Sequence, residues 1–245
     1  MKKKIAVLVP ARYRSKRLPK KPIFEIDGKK LIVRTVYNLN KYFDSKDIYV
    51  VTDHKKIANS LKDAKCNVIL NKKTFLNGTE RCSYALKFIK KKYDYYLIAS
   101  CDNPFLDKKI FKFLTKKINL IKEKVDAITI HTKISSKNAL NKNIAKIIVS
   151  KDNDVIYISR LRIPYIFKEK KITFYSHHGL VLFTRKLLKN YNALHTSDAQ
   201  YVEDNEWLKL IFNKKIFKSY FYRHIEPEIN TRKDIKEFFP IKIFK

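Results

Sequence analysis

Glycine is scarce in this sequence: the 245 residues include only three glycines, Gly28, Gly78 and Gly179. Average usage of about 7% would give roughly seventeen. We therefore expect each glycine to stand where another residue would be costly, either at a positive φ or where two segments of backbone approach closely. The glycine-rich phosphate cradle G-x-x-x-x-G-K-[ST] is also absent, so any phosphate site must be built differently.

Long apolar runs and a cysteine framework are missing as well. No apolar run approaches the roughly 20 residues of a membrane-spanning helix. The first run, residues 5–9, is shorter than the roughly 7–15 residues of a signal-peptide core. Cys66, Cys82 and Cys101 have neither metal-ligand spacing nor a disulfide pattern. We therefore expect a cytoplasmic protein with reduced thiols and no membrane partner.

Acidic residues are few: 23 Asp and Glu stand against 55 Lys and Arg, which gives a formal net charge of +32. Such a charge is typical of nucleic-acid-binding proteins, whose affinity falls steeply with salt. However, lysine is spread along the whole chain, and no motif of the common nucleic-acid modules is present. We interpret the charge as compositional bias that also attracts anionic small substrates, and expect no nucleic-acid partner. A nucleic-acid-binding protein stays the alternative.

Apolar patterning predicts an α/β fold in one domain that covers residues 1–245. Short apolar runs predict strands at 5–9, 47–51, 67–70, 95–99 and 127–131, and helical spacing predicts helices at 31–39, 57–61, 80–89 and 110–121. This alternation is typical of a mostly parallel sheet with helices on both faces. Closely spaced strand-like runs at about 144–190 predict a smaller antiparallel portion. Helices are expected again at 202–212 and 234–239.

Three polar loops follow predicted strands, at 12–21, 52–54 and 100–104. In open α/β sheets, ligands bind beyond the carboxyl ends of the strands. The first loop is strongly basic, and its Arg12, Arg14, Arg17 and Lys21 are candidates for binding a triphosphate, because cationic side chains pair with phosphate oxygens. A solvated basic loop is the alternative.

Asp102 and the segment 77–81 are weaker signals when each is taken alone. Asp102 follows an apolar strand, and Mg²⁺ usually takes one or two carboxylates together with phosphate oxygens. An ordinary turn before Pro104 would look the same. Residues 77–81 form a loop-to-helix junction that could offer backbone amides to an anion, with Thr79 as a plausible N-cap. An ordinary helix cap is equally consistent with that segment.

Taken together, these segments resemble the 3-deoxy-manno-octulosonate cytidylyltransferases, or CMP-Kdo synthetases, and more weakly the CMP-sialate synthetases and other acid-sugar cytidylyltransferases. The matching pieces span nearly the whole chain in the family's order: PARYRSKRLPKKP at 10–22, VTDH at 51–54, GTER at 78–81, Asp102 with Pro104, Asn143 with Lys146, SRLRIPY at 159–165, His177 with Gly179, and Glu203 with Glu206. The first piece is the most specific.

The resemblance implies a Rossmann-like nucleotidyltransferase that joins CMP from CTP to a 2-keto-3-deoxy acid sugar, for lipopolysaccharide or capsule synthesis. The anomeric hydroxyl of the sugar attacks the α-phosphate, and pyrophosphate leaves. The family also implies Mg²⁺ and a homodimer formed through the antiparallel portion. Four groups of residues are implied: Arg12, Lys21 and Asp102 in catalysis; Arg12, Ser15, Arg17, Lys21, Asn77, Gly78, Thr79 and Arg81 on the nucleotide; Arg160, His177, Glu203 and Glu206 on the sugar; and Asp102 and Asn230 on the metal.

The chain departs from the family where the chemistry is expected. The family's Q-G-D-E-P reads SCDNP at 100–104, and its G-[IV]-D-T, whose Asp also coordinates magnesium, reads EINT at 228–231. The family's Ser before GTER is Asn77, its His two residues earlier is Phe75, and its P-G-K-P reads PKKP at 19–22. Three explanations stay open: an active enzyme with a weaker second metal site, an enzyme for a related acid sugar such as an amino-octulosonate or a nonulosonate, or a homologue that binds nucleotide without catalysis.

Overall fold

Strands and helices alternate along the chain in the computed structural model, which describes residues 3–15, 18–121, 124–168, 171–225 and 228–238. The strands are β1 (Ile5–Ala11), β2 (Glu25–Ile26), β3 (Lys29–Lys30), β4 (Ile48–Thr52), β5 (Asn67–Leu70), β6 (Tyr95–Ile98), β7 (Ala127–Ile134), β8 (Lys146–Val149), β9 (Val155–Ser159), β10 (Phe174–His177), β11 (Val181–Thr184) and β12 (Phe217–Phe221). The helices are α1 (Leu31–Asn40), α2 (Lys55–Asn59), α3 (Gly78–Ala85), α4 (Lys108–Leu120), α5 (Ser136–Ala139), α6 (Arg185–Asn190), α7 (Asp198–Val202), α8 (Leu208–Phe212) and α9 (Arg232–Phe238). Within the described ranges, no helix combines the length and the apolar character that a bilayer crossing requires.

One ten-stranded sheet runs through the molecule in the order β5-β4-β1-β6-β11-β7-β10-β8-β9, and β12 pairs with β7. The neighbours β5, β4, β1 and β6 are parallel. The direction reverses at β11, which is antiparallel to both β6 and β7. From there β7, β10, β8 and β9 are antiparallel to their neighbours, whereas β12 is parallel to β7. The α/β prediction is confirmed, and the antiparallel strands continue the same sheet.

Two apolar cores lie on opposite faces of this sheet. Successive residues of a strand point to opposite faces, and in β1 Val7 and Val9 join one core while Ala6 and Leu8 join the other. Side chains from α1 and α4 complete the first core, and side chains from α3, α6 and α8 complete the second. Each fully buried Val or Leu contributes about 1.5–3 kcal/mol. The continuous apolar run in β1 thus reflects burial on both sides.

A third, smaller core attaches the C-terminal segment to the basic loop. Its five buried members are Leu18, Ile26, Leu31, Ile229 and Ile235. Leu18 lies in the loop after β1, Ile26 in β2 and Leu31 at the start of α1. Ile229 precedes α9, and Ile235 lies within it. Packing these groups together brings residues near position 230 beside those near position 21, although more than two hundred residues separate them.

Two of the three glycines occupy positions that would be costly for another residue, as predicted from the scarcity of glycine. Gly28 has a φ of +69°, a conformation that other residues rarely adopt. A Cβ on Gly78 would lie 3.0 Å from Pro10 Cγ, so α3 approaches the end of β1 closely. At Gly179 a Cβ would meet only Glu228 Oε1, at 3.5 Å, which is ordinary contact. The expectation of a special position is therefore wrong for Gly179.

Two local predictions are wrong for physical reasons, and strand β12 was not predicted. The helix predicted at 202–212 is interrupted: α7 ends at Val202, α8 begins at Leu208, and Asp204 between them has a φ of +45°. The N-cap of α3 is Asn77 rather than Thr79, because the Asn77 side chain accepts a hydrogen bond from a helix amide. Strand β12 lies in a lysine-rich stretch whose apolar residues do not form a continuous run.

Candidate active site

The ends of three parallel strands bring the predicted loops to one edge of the sheet. Strand β1 lies between β4 and β6, with Ala11 opposite Thr52 and Leu8 opposite Ile98. Because the three strands run in the same direction, the loops that follow them leave the sheet side by side. The basic loop, the Asp53 loop and the Asp102 loop therefore start at a common edge, where ligands of open α/β sheets bind.

Lys21 lies in the middle of a polar centre at this edge. Its ammonium forms an ion pair with Asp102 Oδ2 and donates a hydrogen bond to Asn230 Oδ1 at 3.1 Å. Lys21 and Asp102 are both buried. Three residues that the sequence assigned to catalysis or metal binding thus meet at one point. We call this group the Lys21 centre: Lys21, Asp102 and Asn230.

Backbone hydrogen bonds hold the C-terminal part of the Lys21 centre in place. The Ile229 amide donates to Asp102 O at 2.8 Å, which fixes the segment against the Asp102 loop. The amides of Asn230 and Thr231 both donate to Asp234 Oδ2, each at 2.7 Å. Asp234 belongs to the first turn of α9. The helix start therefore sets the position of Asn230, which explains why a residue so distant in sequence reaches Lys21.

The charge of Lys21 controls the ionisation of its carboxylate partner. Burial alone would raise the pKa of Asp102, but the ion pair and hydrogen bond with Lys21 outweigh it, so the pKa lies below its ordinary value. The buried Oδ1 atoms of Asp102 and Asn103 have no hydrogen-bond partner among the described residues. Leaving a buried polar atom unpaired costs about 1–3 kcal/mol. Asp102 Oδ1 is therefore an oxygen poised to accept a ligand.

The Lys21 centre has the donor set of an incomplete site for a hard cation. Within the described ranges, no three His, Cys, Asp or Glu side chains are arranged to hold a metal ion by themselves. Asp102 and Asn230 instead offer one carboxylate and one amide oxygen that share a single ammonium. Mg²⁺ is commonly held by one or two carboxylates with the remaining oxygens from phosphate and water. This arrangement suits a cation that arrives with a polyphosphate.

The basic loop is tied to the neighbouring Asp53 loop. The Tyr13 amide donates to Asp53 Oδ1 at 2.9 Å, and the Tyr13 ring stacks on His54 with 3.8 Å between ring centroids. On either side of Tyr13, Arg12 and Arg14 are exposed to solvent. The loop therefore presents two guanidinium groups while its backbone is held. Among the other predicted loop residues, Ser15 is half-buried, and Arg17 lies outside the described residues.

Asp53 also binds Arg81, a predicted nucleotide residue. Arg81 Nη2 lies 3.2 Å from Asp53 Oδ2, and the guanidinium stacks over the Phe75 ring at 5.4 Å from its centroid. Arg81 is buried. Asp53 thus links the basic loop to α3 through its two carboxylate oxygens. The sequence placed Asp53 in an informative loop but assigned it no role; its position after a parallel strand, like that of Asp102, was the available signal.

The beginning of α3 is occupied by protein side chains. Asn77 Oδ1 accepts from the Glu80 amide at 2.9 Å, and Glu206 Oε2 accepts from the Thr79 amide at 2.9 Å. Gly78 allows this turn to pack on Pro10. Two of the amides that a helix start could offer to an anion are therefore already paired. The segment acts as a fixed wall at the edge of the sheet.

Glu203 and Glu206, both assigned to the sugar, lie in the turn between α7 and α8 and face different neighbours. Glu206 reaches the start of α3, and burial raises its pKa to about 7. Glu203 instead accepts from Ser159 Oγ at 2.6 Å and from the Arg160 amide at 2.8 Å. The break after Val202 separates the two carboxylates. One supports the nucleotide segment, and the other holds the end of β9.

Arg160 and His177, the other two residues assigned to the sugar, both make contacts within the protein. The Arg160 guanidinium donates to the backbone oxygens of Lys142, Glu203 and Asp204 at 2.8–3.3 Å. His177 is buried, its Nε2 lies 3.2 Å from Thr129 Oγ1, and burial lowers its pKa to about 3. His177 is therefore neutral at physiological pH and belongs to the polar interior of the sheet.

Comparison with known proteins places these features in a family. A family model described as "Cytidylyltransferase" matches residues 6–224. The mitochondrial 3-deoxy-manno-octulosonate cytidylyltransferase of Arabidopsis thaliana is 31% identical over 96% of this chain and 81% of its own length. The 8-amino-3,8-dideoxy-manno-octulosonate cytidylyltransferase of Shewanella pealeana is 27% identical over 95% of this chain and 96% of its own length.

A solved structure shows the same fold. It is described as CMP:2-keto-3-deoxy-manno-octonic acid synthetase complexed with CTP, and its TM-score against this chain is 0.88. The match covers 97% of this chain and 98% of the other, at 23% sequence identity. At that identity the likeness establishes the fold.

The buried histidines predict that acid destabilises the protein. Burial lowers the pKa of His131 and His178 to about 4 and that of His177 to about 3. Since the unfolded chain takes up these protons below about pH 6.5, the free energy of unfolding should fall with pH from there toward the folded pKa. Each histidine contributes a slope of about 1.4 kcal/mol per pH unit. Urea denaturation between pH 8 and pH 4.5 measures the slope.

A variant comparison isolates this effect from Glu206. The raised pKa of Glu206 acts in the opposite sense, because its folded form gains a proton, and hence stability, as pH falls from about 7 toward 4.5. The slope should therefore be compared between the native chain and His177→Asn, which should be shallower below pH 6.5. His195→Asn is the control, since His195 is exposed. Equal slopes in all three proteins would contradict a neutral, buried His177.

Proposed function

Because the chain belongs to the cytidylyltransferase family, we propose that it transfers CMP from CTP to a 2-keto-3-deoxy acid sugar, with 3-deoxy-manno-octulosonate as the first candidate. The anomeric hydroxyl of the sugar loses its proton to solvent as its oxygen bonds to the α-phosphorus, the bond from that phosphorus to the oxygen shared with the β-phosphate breaks, and pyrophosphate leaves. The observation that carries the proposal is the convergence of Lys21, Asp102 and Asn230 beside the basic loop. The activated sugar would serve lipopolysaccharide or capsule synthesis.

The triphosphate is bound by the basic loop in this proposal. Arg12, Ser15, Arg17 and Lys21 supply cations and a hydroxyl, and arginine pairs with phosphate oxygens in a fork-shaped geometry. The exposure of Arg12 supports this role, as does the bond that fixes the loop to Asp53. Phosphoryl-type transfers depend on positioning and on neutralising charge. A loop of fixed backbone and free guanidinium groups meets both needs.

Lys21 is the residue that we assign to the reacting phosphates. Its ammonium forms an ion pair with Asp102. A bound triphosphate offers the same ammonium stronger and more numerous anionic oxygens, so Lys21 can turn toward them. A donor placed where negative charge develops is among the strongest contributions that a protein makes to catalysis. Movement of Lys21 would leave Asp102 Oδ2 open as well as Oδ1.

We propose that Asp102 and Asn230 hold Mg²⁺ together with the nucleotide. The unpaired, buried Asp102 Oδ1 supports this assignment, and so does the position of Asn230 Oδ1 on the shared ammonium. When bound, the ion neutralises phosphate charge and holds the phosphates in place. Asn230 contributes an oxygen without charge, so we expect this pair to bind the ion more weakly than two carboxylates would.

The nucleoside and the sugar occupy neighbouring parts of the same edge in this proposal. Asn77, Gly78, Thr79 and Arg81 lie near the cytidine, with Arg81 held against Asp53 and Phe75. Arg160 and Glu203 form the sugar-side wall, and Arg160 keeps its assignment to the sugar carboxylate. His177 supports that pocket from the interior, where it is buried. Glu206 keeps its assignment to the sugar, and its carboxylate also holds the start of α3.

A related acid sugar is the second candidate substrate. The Shewanella relative acts, by its name, on an 8-amino-3,8-dideoxy-manno-octulosonate, and this chain matches it over nearly its full length. Phe75 beside Arg81 alters the same neighbourhood in which the family carries a histidine. The proposal places the enzyme in the cytoplasm, a reducing compartment that holds CTP and suits the free thiols of Cys66, Cys82 and Cys101.

An exposed apolar patch supports a homodimer. Five large side chains, each between 64% and 88% exposed, follow β9 or lie at the end of α7: Leu161, Tyr165, Phe167, Tyr201 and Val202. The contacts of Arg160 with Glu203 hold these two segments side by side. Large exposed apolar patches mark protein–protein interfaces. We propose that this patch, in the antiparallel portion of the sheet, pairs two copies of the chain.

The proposed reaction predicts that pyrophosphate release requires CTP, Mg²⁺ and an acid sugar, and depends on Lys21. Lys21→Met should lower kcat/KM at least 100-fold, which corresponds to about 2.7 kcal/mol of lost transition-state stabilisation. Lys116→Met, on an exposed position of α4, should stay within threefold of the native chain. A coupled pyrophosphate assay measures both variants against the native protein.

A panel of acid sugars separates the candidate substrates. Release with 3-deoxy-manno-octulosonate alone supports the first candidate, and release with the 8-amino sugar alone supports the second. If no sugar gives pyrophosphate release but calorimetry shows CTP binding, catalysis is contradicted and the protein is a nucleotide-binding homologue. Equal activity of Lys21→Met and the native chain would contradict the role of the Lys21 centre.

The proposed dimer predicts that a charge in the apolar patch separates the subunits. Light scattering after gel filtration should give twice the chain mass for the native protein and the chain mass for Phe167→Asp or Val202→Asp. Leu120→Asp is the control, because Leu120 is 62% exposed at the end of α4, outside the patch. A native protein that elutes as a monomer at micromolar concentration would contradict the dimer.

A further inference from the structure

The carboxylate of Glu228 contacts the Lys21 centre through the Asn230 side chain. Glu228 Oε2 accepts a hydrogen bond from Asn230 Nδ2 at 3.3 Å, and Glu228 Oε1 accepts from the Gly179 amide at 3.4 Å. The residue is half-buried. A carboxylate in such a place must be paired or serve a ligand.

Glu228 determines which way the Asn230 amide points. Asn230 Nδ2 donates to Glu228, and Asn230 Oδ1 accepts from Lys21. These two bonds fix the amide with its oxygen toward the centre, since the reverse orientation would set two donors against each other at Lys21. A carboxylate at position 230 would instead face Glu228 at about the same distance and repel it. The carboxylate at position 228 therefore favours an amide, rather than a second carboxylate, at position 230.

The sequence of this segment shows the same match. The run EINT at 228–231 corresponds to G-[IV]-D-T in the resemblance described above, so this chain has a carboxylate where that pattern has glycine and an amide where it has aspartate. The number of carboxylates in the segment is unchanged, and the charge has moved by two residues.

We propose that Glu228 supplies the second negative charge of the cation site in the Lys21 centre and orients Asn230, whose own side chain carries no charge. The ligand class is a divalent cation, and the inference rests on the proposed function in that this cation accompanies CTP. Asp102 and Glu228 then provide two negative charges around the site, with Asn230 Oδ1 as a neutral ligand between them. Asn230 replaces aspartate without removing the charge on which cation binding depends.

Binding of Mn²⁺ alone to the full chain tests this inference without turnover. The free Mn²⁺ signal in electron paramagnetic resonance gives the dissociation constant. Glu228→Gln should raise it at least tenfold. The double variant Glu228→Gln/Asn230→Asp returns the charge to position 230 and gives the new carboxylate an amide neighbour, so its dissociation constant should fall to within threefold of the native value. Glu25→Gln, on an exposed strand residue, should leave it unchanged.

The outcomes distinguish this inference from the proposed function. Three results would each overturn the role of Glu228. The first is native-like Mn²⁺ affinity of Glu228→Gln, and the second is no Mn²⁺ binding by the native chain. The third is a double variant that fails to recover affinity although its circular dichroism and melting temperature match those of the native chain. Pyrophosphate release by the native protein reports on the proposed function separately. If the native enzyme turns over but Glu228→Gln leaves the Mn²⁺ dissociation constant unchanged, only the role of Glu228 is contradicted.

Discussion

The ion pair between Lys21 and Asp102, with Asn230 as its third member, is the interaction on which the site depends. It joins the loop after the first strand, the loop after a neighbouring parallel strand and the start of the last helix. Each partner is expensive to bury alone, because an unpaired charge in a protein interior costs several kcal/mol. The pair therefore holds these three segments together at one edge of the sheet.

Much of the fold could be predicted from the sequence because the parallel half obeys local rules. Runs such as 5–9 and 95–99 are apolar on both faces, so they had to be central strands, and the polar residues that follow them had to share one edge. That argument placed Arg12, Lys21 and Asp102 together without any structure. Scarcity of glycine also predicted a special position for Gly78, which in the structure packs closely on Pro10. Composition and periodicity were informative wherever burial dictated the residue type.

The remaining features depend on contacts between distant residues, which a sequence pattern does not contain. Helical spacing ran on through 202–212, yet Asp204 adopts a positive φ and separates Glu203 from Glu206. Resemblance assigned Arg160 to the sugar, whereas its guanidinium also serves three backbone oxygens. The sequence predicted no role for Glu228, because a lone glutamate in a basic chain belongs to no recognisable spacing pattern. Its hydrogen bonds with the Asn230 side chain and the Gly179 amide appear only in the structure.

Anomalous diffraction from crystals grown with CTP and Mn²⁺ tests the central claim most directly, because it locates the cation by its own signal. The account predicts a manganese peak about 2.0–2.3 Å from an oxygen of Asp102, a distance typical of such ions, with Asn230 Oδ1 beside it and the Lys21 ammonium turned from Asp102 to the phosphates. A manganese ion bound only by CTP and water, with Lys21 still paired to Asp102, would contradict it.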